Sequence, residues 1–456
     1  MEEDLDQGAQ AAVEQGGDLA QQYIRRMDAE RAAWVAKRRQ SANPLQRAFA
    51  YVVPYGSILS SGLNLASSTI GAGIISLPSA FATSGVIMAF IYLVIIAGLS
   101  VYSYTLIGSA SRATGLCNYE QMVRALMGRG ADIFLAILMM LLSLGAEISY
   151  AISLKNVTTQ FLTSASNVPA YLTTAPGERL ITSALWFVFM LPLCLPKEIN
   201  SLRYFSFIAI LFIIFFVICM IIHAAHHGLK GGLRDDLVLF QSGNTAVYGL
   251  GIFIFAFGNQ INAAEVLREL YQPTVKRFTM SALVATVLCF ILYSCAGLFG
   301  YFDFGPTVND KSSLQLYDPI QEPLMGVAYV GIMLKLCVGY GLHMQPIRDA
   351  VYHMAHTDVH EVPWWLNSIV CSIIATITLI GGLFIPKVNL VFGLMGAFCS
   401  GFIAFVFPAF MYMYTGNWHL HTVGWFHFFA TFTMLIVGII GIVWGTAATI
   451  YGDAIP

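Results

Sequence analysis

The chain has 456 residues, of which 57% are hydrophobic and only 11% are charged, and its mean hydropathy is +0.71. About a quarter of the residues of a soluble domain are charged. This composition therefore excludes an ordinary soluble enzyme and indicates a protein that crosses a membrane many times. The formal net charge of −2 gives no indication of nucleic-acid binding.

The first 50 residues differ in composition from the rest of the chain. They begin with the acidic run MEEDLD and continue with the basic groups RR and KRR. They contain no apolar segment of the kind that a signal peptide requires. We therefore expect residues 1–50 to form a flexible cytosolic tail and residues 51–456 to form one transmembrane domain.

Apolar stretches of spanning length follow one another from residue 57 onwards, separated by polar connections. They fall at about 57–82, 84–110, 130–158, 180–196, 203–224, 246–270, 278–302, 322–346, 364–384, 388–413 and 423–450. The sequence therefore predicts an all-α integral membrane protein with eleven transmembrane helices.

Basic residues are distributed unevenly between the connections on the two sides of these spans. With the N-terminus inside, sixteen Lys and Arg residues fall on the cytosolic side and five fall on the other side. Cytosolic connections generally carry an excess of basic residues, so we expect the N-terminus to be cytosolic. The odd number of spans then places the C-terminus outside.

Two of the predicted spans are interrupted near mid-membrane. The first contains Gly71-Ala72-Gly73, and the sixth contains Gly258-Asn259-Gln260 followed by Asn262. Glycine alone is common in membrane helices because it permits close packing. Two broken spans that lie five apart, however, are what an inverted repeat of five helices predicts, and such breaks expose backbone groups to a central binding site.

Several motifs carry a resemblance to a known family. NLASSTIGAGIISLPSAF resembles the first helix of the amino acid/auxin permease family of the APC superfamily, and FIFAFGNQINAAEVLREL resembles its sixth. LPKEINSLRYFS and QPIRDAV are similar to the segment before helix 5 and to the end of helix 8. The resemblance covers residues 57–450, and the charged tail and short C-terminus resemble the protozoan amino-acid and polyamine permease branch.

This resemblance implies a LeuT-like fold of five-plus-five inverted repeats with helices 1 and 6 broken. Repeat one would span about 57–224, repeat two about 246–413, and an extra helix about 423–450. It implies secondary transport by alternating access, no cofactor, and a small amino acid or polyamine as substrate. The expected partners are the lipid bilayer and, as a candidate, a proton that is transported together with the substrate. The protein is expected in the plasma membrane, with a vacuolar or lysosomal membrane as the alternative.

The breaks and the residues around them form the expected substrate site. Its members are Ser68, Thr69, Ile70, Gly71, Ala72, Gly73, Glu147, Tyr150, Phe257, Gly258, Asn259, Gln260 and Asn262. Sodium-coupled relatives carry Asn where this chain has Ser67 and a hydroxyl residue where it has Gly339. A hard cation needs several oxygen ligands, so the sequence favours a proton-coupled carrier or a uniporter over a sodium-coupled one.

Two ionisable residues lie deep within predicted spans. Glu147, in the third span, is a candidate to bind a cationic side chain or a transported proton, because intramembrane acids are costly and by default functional. Tyr150, one turn on, is expected on the same helix face. Lys335, in the eighth span, is a candidate fixed substitute for the sodium ion, or a partner of Glu147. The acid favours arginine, lysine or polyamines as substrates, with neutral amino acids as the alternative.

Two other classes of protein are weighed against a carrier. Membrane di-iron enzymes use clusters of histidines, and this chain has three such groups: His223, His226 and His227; His353, His356 and His360; His419 and His421. The predicted topology puts the first group on the opposite side from the others, so a single metal centre cannot use them. A channel is disfavoured because no filter motif is visible. Asn156 begins a glycosylation sequon close to the end of the third span.

Overall fold

The structure is a computed structural model. It describes residues 54, 56–71, 73–165, 168–196, 202–309, 311–354, 357, 362–385, 387–416 and 418–454, with six further positions of the tail. Only the backbone is described at 202–207, 244, 265, 353, 453 and 454. Most of the predicted flexible tail, Ala72 and residues 197–201 of the motif before the fifth span therefore lie outside the described residues.

The regular secondary structure of the described residues is helical, and they include no β-strand. The α-helices in order are α1 (Ile58–Thr69), α2 (Gly73–Ser84), α3 (Val86–Thr114), α4 (Tyr119–Met127), α5 (Arg129–Ser164), α6 (Ala175–Cys194), α7 (Leu202–His226), α8 (Asn244–Tyr248), α9 (Leu250–Phe257), α10 (Ala263–Glu269), α11 (Val275–Phe304), α12 (Pro323–Met354), α13 (Trp364–Phe384), α14 (Val388–Tyr414), α15 (Leu420–Val423) and α16 (Trp425–Gly452).

Nine helices of the described chain are long and apolar enough to cross a membrane, and α1 with α2 makes a tenth span if the bent pair counts as one. The two helices of that pair meet at an angle of 67°. The predicted sixth span, 246–270, is divided into α8, α9, a 3₁₀ turn at Gln260–Asn262 and α10. None of these pieces is long enough to cross alone, because glycine and asparagine interrupt the run.

The ends of the helices are fixed by local signals in the sequence. Ser57 caps the start of α1 by accepting a hydrogen bond from the Ser60 amide, and Thr274 caps α11 through the Arg277 amide. Gly115 adopts a left-handed conformation directly after α3 and ends it. These signals fix where α1 and α11 begin and where α3 ends.

Small residues bring the helices around the breaks close together. α11 packs along α1, α2 and α3, and α12 packs along α5. A side chain at Gly297 of α11 would collide with the ring of Phe81, and one at Gly300 would collide with Pro78. These glycines let α11 lie directly against α2, which places the middle of α11 beside the first break.

Candidate functional site

The first break is a tight turn at the end of α1. The Ile70 amide still donates to the Ala66 carbonyl at 2.8 Å, as in a helix, but the Gly71 amide donates to the Thr69 carbonyl at 2.8 Å. Ile70 has φ −75° and ψ 79°, values close to those of an inverse γ-turn. The helix therefore stops after Thr69, and the chain resumes as α2 from Gly73.

The second break repeats this turn at the end of α9. Gly258 has φ −79° and ψ 59°, and the Asn259 amide donates to the Phe257 carbonyl at 2.9 Å. The central residue of each turn, Ile70 in one and Gly258 in the other, thus has almost the same backbone conformation. A residue with a side chain at position 258 would meet the Ser400 hydroxyl at 2.5 Å, which explains the glycine here.

Asn259 joins the two breaks through its side chain. Its amide nitrogen donates to the Ser68 hydroxyl at 2.7 Å and to the Thr69 hydroxyl at 3.1 Å. Its amide oxygen accepts a hydrogen bond of 2.6 Å from the Asn262 side chain. Four residues predicted for the substrate site therefore form one hydrogen-bonded chain across the two interrupted stretches. Gly73 adds a close approach, since a side chain there would touch the backbone of Ala256 at 3.3 Å.

A residue that the sequence did not single out also touches both breaks. Tyr293, fully buried in α11, has its hydroxyl oxygen 3.0 Å from the Thr69 carbonyl and 2.9 Å from the Ala256 carbonyl. The ring of Phe257 stands edge-on to the Tyr293 ring, with centroids 5.1 Å apart. No pattern in the sequence separates Tyr293 from the other tyrosines, because its role depends on how α11 packs.

Tyr150 of α5 lies between the first break and α12. A side chain at Gly71 would meet the Tyr150 hydroxyl at 2.8 Å, and one at Gly339 would meet its ring at 2.8 Å. The ring also lies beside His343, with centroids 5.4 Å apart. The predicted residues Gly71, Tyr150 and Gly339 are thus brought together, and Tyr150 occupies the space that the glycine at 339 leaves open.

Lys335 of α12 also reaches the first break. Its ammonium group is buried and donates a hydrogen bond of 2.8 Å to the Ser67 carbonyl. In a continuous helix the Gly71 amide would occupy that carbonyl, but it turns back to Thr69 instead. Ser67 and Lys335, both expected at the coupling-ion position, therefore contact each other directly.

Glu147 lies apart from these contacts. It is fully buried, and neither carboxyl oxygen has a hydrogen-bond partner among the described residues. Its electrostatic neighbours are Thr378 of α13, Tyr340 of α12 and Cys194 of α6. No ion pair in the described part of the chain joins it to Lys335. Tyr150, expected on the same face, turns to the first break, whereas Glu147 faces α13.

A hydrogen-bonded group borders Glu147. The Trp186 indole donates to the Tyr340 hydroxyl at 3.1 Å, and that hydroxyl lies 2.6 Å from the Thr378 hydroxyl. The sequence did not point to these three residues, since each lies in an ordinary apolar run. Gln260 resembles Glu147 in this respect. It is fully buried, and its amide atoms have no hydrogen-bond partner in the described chain.

A polar contact links α1 to the end of α10. The Asn64 side chain donates to the Glu269 carboxylate at 3.2 Å, and Glu269 is buried. The nearby Tyr271 amide donates to the Gly56 carbonyl at 2.9 Å. Arg268 is exposed. The structure thus links α1 and the residue Gly56 before it to the end of α10. The contact at Gly56 lies at the end of α1 that is away from the first break.

The histidine groups do not converge on a metal site within the described residues, where no group of three His, Cys, Asp or Glu side chains is placed to hold a metal ion. His223 is held instead between two acids, with Nδ1 2.6 Å from Asp303 and Nε2 2.9 Å from Glu322. The side chain of His353 and all of His356 and His360 lie outside the described residues.

A bundle of membrane-spanning helices with two interrupted stretches, joined to each other at matched turns, is the architecture of a membrane transporter. A family model described as transmembrane amino acid transporter protein matches residues 55–451. The chain therefore belongs to the transmembrane amino acid transporter family, a family of transporters and not of enzymes. The resemblance to the amino acid/auxin permeases is confirmed at family level, and the protozoan branch stays a prediction.

Proposed function

We propose that this protein is a secondary active transporter of cationic amino acids such as arginine and lysine, or of polyamines, working by alternating access. It would be proton-coupled or a uniporter rather than sodium-coupled. In this proposal the interrupted stretch 246–270 also crosses the membrane, which gives eleven spans in a five-plus-five inverted repeat. A neutral amino acid as substrate is the second candidate.

The observation that carries the proposal is the matched pair of turns at Ile70 and Gly258. Each turn releases backbone N–H and C=O groups at the middle of an apolar stretch, where only protein, solvent or a ligand can satisfy them. The α-carboxylate of an amino acid suits the amides at the start of α2, and its α-amino group suits freed carbonyls. Asn259, whose amide oxygen accepts a hydrogen bond from Asn262, then holds the two breaks at a fixed distance around the substrate.

The preference for a cationic substrate rests on Glu147. A buried carboxyl with no protein partner is costly if ionised. Binding of a proton or of a positively charged group removes that cost. The cation can belong to the substrate, as in arginine, or can be the coupling proton. Gln260 supports a substrate site of mixed polarity, because its unpartnered amide offers both a donor and an acceptor.

The absence of sodium coupling is supported by Lys335. The ammonium lies at the C-terminal end of α1, where the helix dipole favours a positive charge. It already donates a hydrogen bond to the Ser67 carbonyl, and Gly339 has no hydroxyl group that could bind an ion. A sodium ion, which needs several oxygen ligands, would have to displace the lysine from this position.

The test is uptake of radiolabelled arginine, lysine, putrescine and a neutral amino acid in transport-deficient cells, at several pH values, with and without sodium. We expect saturable uptake of the cationic substrates that sodium does not stimulate. Glu147→Gln separates the two roles of the acid: loss of the preference for arginine indicates contact with the substrate, and loss of pH dependence for all substrates indicates proton binding. Glu178→Gln, at the start of α6, is the control.

If Glu147→Gln retains full uptake of arginine with unchanged pH dependence, the role given to Glu147 is wrong. Saturable uptake of only the neutral amino acid would support the second candidate. Stimulation of uptake by sodium would contradict the proposal that Lys335 takes the place of a sodium ion. Absence of uptake for every amino acid and polyamine would contradict the proposed substrate class as a whole.

A further inference from the structure

Tyr293 reaches both breaks with one hydroxyl group from a third helix, α11. The hydroxyl oxygen lies 3.0 Å from the Thr69 carbonyl and 2.9 Å from the Ala256 carbonyl. A phenol has one proton to donate, so the two carbonyls share it in a three-centre hydrogen bond. Both acceptors lie in the last turn of an interrupted helix, where carbonyls lack a helical partner.

We propose that Tyr293 is a positioning residue that makes α1, α9 and α11 move as one unit during transport, by binding the ends of both broken helices at once. The proposal rests on the proposed transport function and adds to it the residue that couples the two breaks.

The surroundings of Tyr293 favour this role over the simpler one, in which its hydrogen bonds only provide partners for a buried hydroxyl group. α11 has no interruption and packs along α1 and α2. The Phe257 ring, at the last residue of α9, stands edge-on to the Tyr293 ring. Tyr293 therefore fixes α9 by a ring contact as well as by its hydroxyl. A displacement of either break relative to α11 would remove one acceptor from the shared proton.

Tyr293 and Asn259 hold the breaks by different means. Asn259 belongs to the second break, and its two shorter hydrogen bonds go to side chains, the hydroxyls of Ser68 and Thr69, with a longer one of 3.5 Å to the Leu65 carbonyl. Tyr293 belongs to neither break and binds backbone carbonyls. Loss of the Asn259 side chain leaves both hydrogen bonds from Tyr293 to the breaks in place, whereas loss of the Tyr293 hydroxyl removes both and leaves the hydrogen bonds of Asn259 between the breaks. The two positions are therefore expected to differ in their effect on movement relative to α11.

Tyr301 provides a matched control in the same helix. It is buried to the same degree, and its hydroxyl accepts a hydrogen bond of 2.9 Å from the Val238 amide in the connection between α7 and α8. Tyr301→Phe therefore removes one buried hydroxyl and one hydrogen bond without touching either break. Any general effect of losing a tyrosine hydroxyl from α11 appears in both variants.

The experiment measures hydrogen–deuterium exchange of the purified protein in lipid nanodiscs, together with uptake corrected for the amount at the membrane. In Tyr293→Phe we expect faster exchange in both segments 65–71 and 253–262, and a maximum uptake rate lowered about tenfold, the effect of losing one buried hydrogen bond. Tyr301→Phe should leave both segments unchanged and uptake within about twofold of the wild type.

Two non-natural residues at position 293 keep the test decisive if Tyr293→Phe folds poorly. 4-Fluorophenylalanine fills the space of the hydroxyl but cannot donate, and should reproduce the defect. 3-Fluorotyrosine keeps the donor and should restore wild-type exchange and uptake. Exchange that rises at one break alone, or equally in the Tyr301 variant, would overturn the coupling role, as would unchanged uptake. Failure of the wild-type chain to take up any amino acid would contradict the proposed function instead.

Discussion

The ammonium of Lys335 donates a hydrogen bond of 2.8 Å to the carbonyl of Ser67, at the point where α1 is about to stop. This contact joins the long unbroken helix α12 to the first interruption. In a continuous helix the Gly71 amide would donate to the Ser67 carbonyl, but here it donates to the Thr69 carbonyl instead. A charged donor thus stabilises the interrupted end of α1 at a place where the helix dipole is negative.

Replacement of Lys335 by methionine should lower uptake tenfold or more at unchanged surface amount. A hydrogen bond to a charged group contributes about 1.5–3 kcal/mol, and a factor of ten corresponds to about 1.4 kcal/mol. Lys155→Met is the matched control: its ammonium donates to the Gly382 carbonyl at 3.3 Å at the end of α13, away from the breaks. Equal losses in the two variants would show that Lys335 has no special part in transport.

The two glycines around Tyr150 should respond differently to the removal of its hydroxyl. Gly71→Ala places a methyl group 2.8 Å from that hydroxyl, and Gly339→Ala places one 2.8 Å from the ring carbon that bears it. Each alanine is expected to reduce uptake, because contacts this short force the neighbour to move. Tyr150→Phe should therefore restore part of the uptake of the Gly71 variant and little of the Gly339 variant.

Initial uptake rates of the single and double variants measure this coupling. Gly98→Ala is the control, since an added methyl group in α3 meets no atom within 4 Å. Equal rescue of both alanine variants by Tyr150→Phe would contradict the contact geometry, and a large defect in the Gly98 variant would show that alanine itself is harmful in these helices.

The sequence predicted the breaks because glycine and asparagine are conspicuous in apolar runs. Gly258 and Asn259 stood out as residues that interrupt a helix, and their local chemistry determines the turn. The contacts of Tyr293 and Tyr150 were not predictable in this way. Each depends on which face of a long helix meets a partner far along the chain, and an apolar helix with no clear amphipathic pattern does not reveal its faces.

The same limit applies to Glu147 and Lys335. Both were singled out because a charge in an apolar span is costly, and both are buried. The sequence left a direct ion pair between them open as an alternative. The structure separates them across α5 and α12, with Lys335 on the Ser67 carbonyl and Glu147 near Thr378. Spacing along the chain fixes the depth of a residue but not the side of the helix from which a neighbour approaches.

Asn259 should be more important for uptake than Asn262. Asn259→Ala removes the two donors to Ser68 and Thr69 and also the acceptor for Asn262. Asn262→Ala removes only the last of these. Because each lost hydrogen bond contributes about 1 kcal/mol, we expect a reduction of tenfold or more for Asn259→Ala and of about fivefold or less for Asn262→Ala. Uptake at saturating substrate measures this, and the opposite order would show that Asn262 contacts substrate directly.

Glu120, in the short helix α4, should make stability depend on pH. Burial, followed by the negative charge of Asp349, raises the pKa of the Glu120 carboxyl to about 7, whereas the pKa in an unfolded chain is about 4.3. The stability that this group contributes is therefore fully present below about pH 4 and is lost as the pH rises to 7. Glu120→Gln should remove that loss.

Thermal unfolding in nanodiscs at pH 5 and pH 8 tests the pH dependence. After a discount for partial exposure of the side chain, the variant should gain about 1–2 kcal/mol at pH 8 and clearly less at pH 5. The measurement at pH 5 is the internal control for effects of the amide itself. A gain in stability of the same size at both pH values would mean that ionisation of the Glu120 carboxyl does not destabilise the folded protein.

Asn156 should remain without a glycan although it begins an N-V-T sequon. The residue is 5% exposed, and its side-chain oxygen accepts a hydrogen bond of 3.1 Å from Gln315. A glycan needs an exposed acceptor in a surface segment. Phe240→Asn creates a sequon, N-Q-S, at a residue 58% exposed in the connection before α8. That connection is expected on the outer side, like the end of α5.

Treatment with an endoglycosidase, followed by electrophoresis, separates the two sequons. We expect no shift for the wild type, no effect of Asn156→Gln, and a shift for Phe240→Asn alone. A shift in the wild type that Asn156→Gln abolishes would contradict the burial of Asn156 beside Gln315. A Phe240→Asn protein that reaches the membrane without a glycan would contradict the predicted orientation, since an exposed sequon on the outer side is accessible to the modifying enzyme.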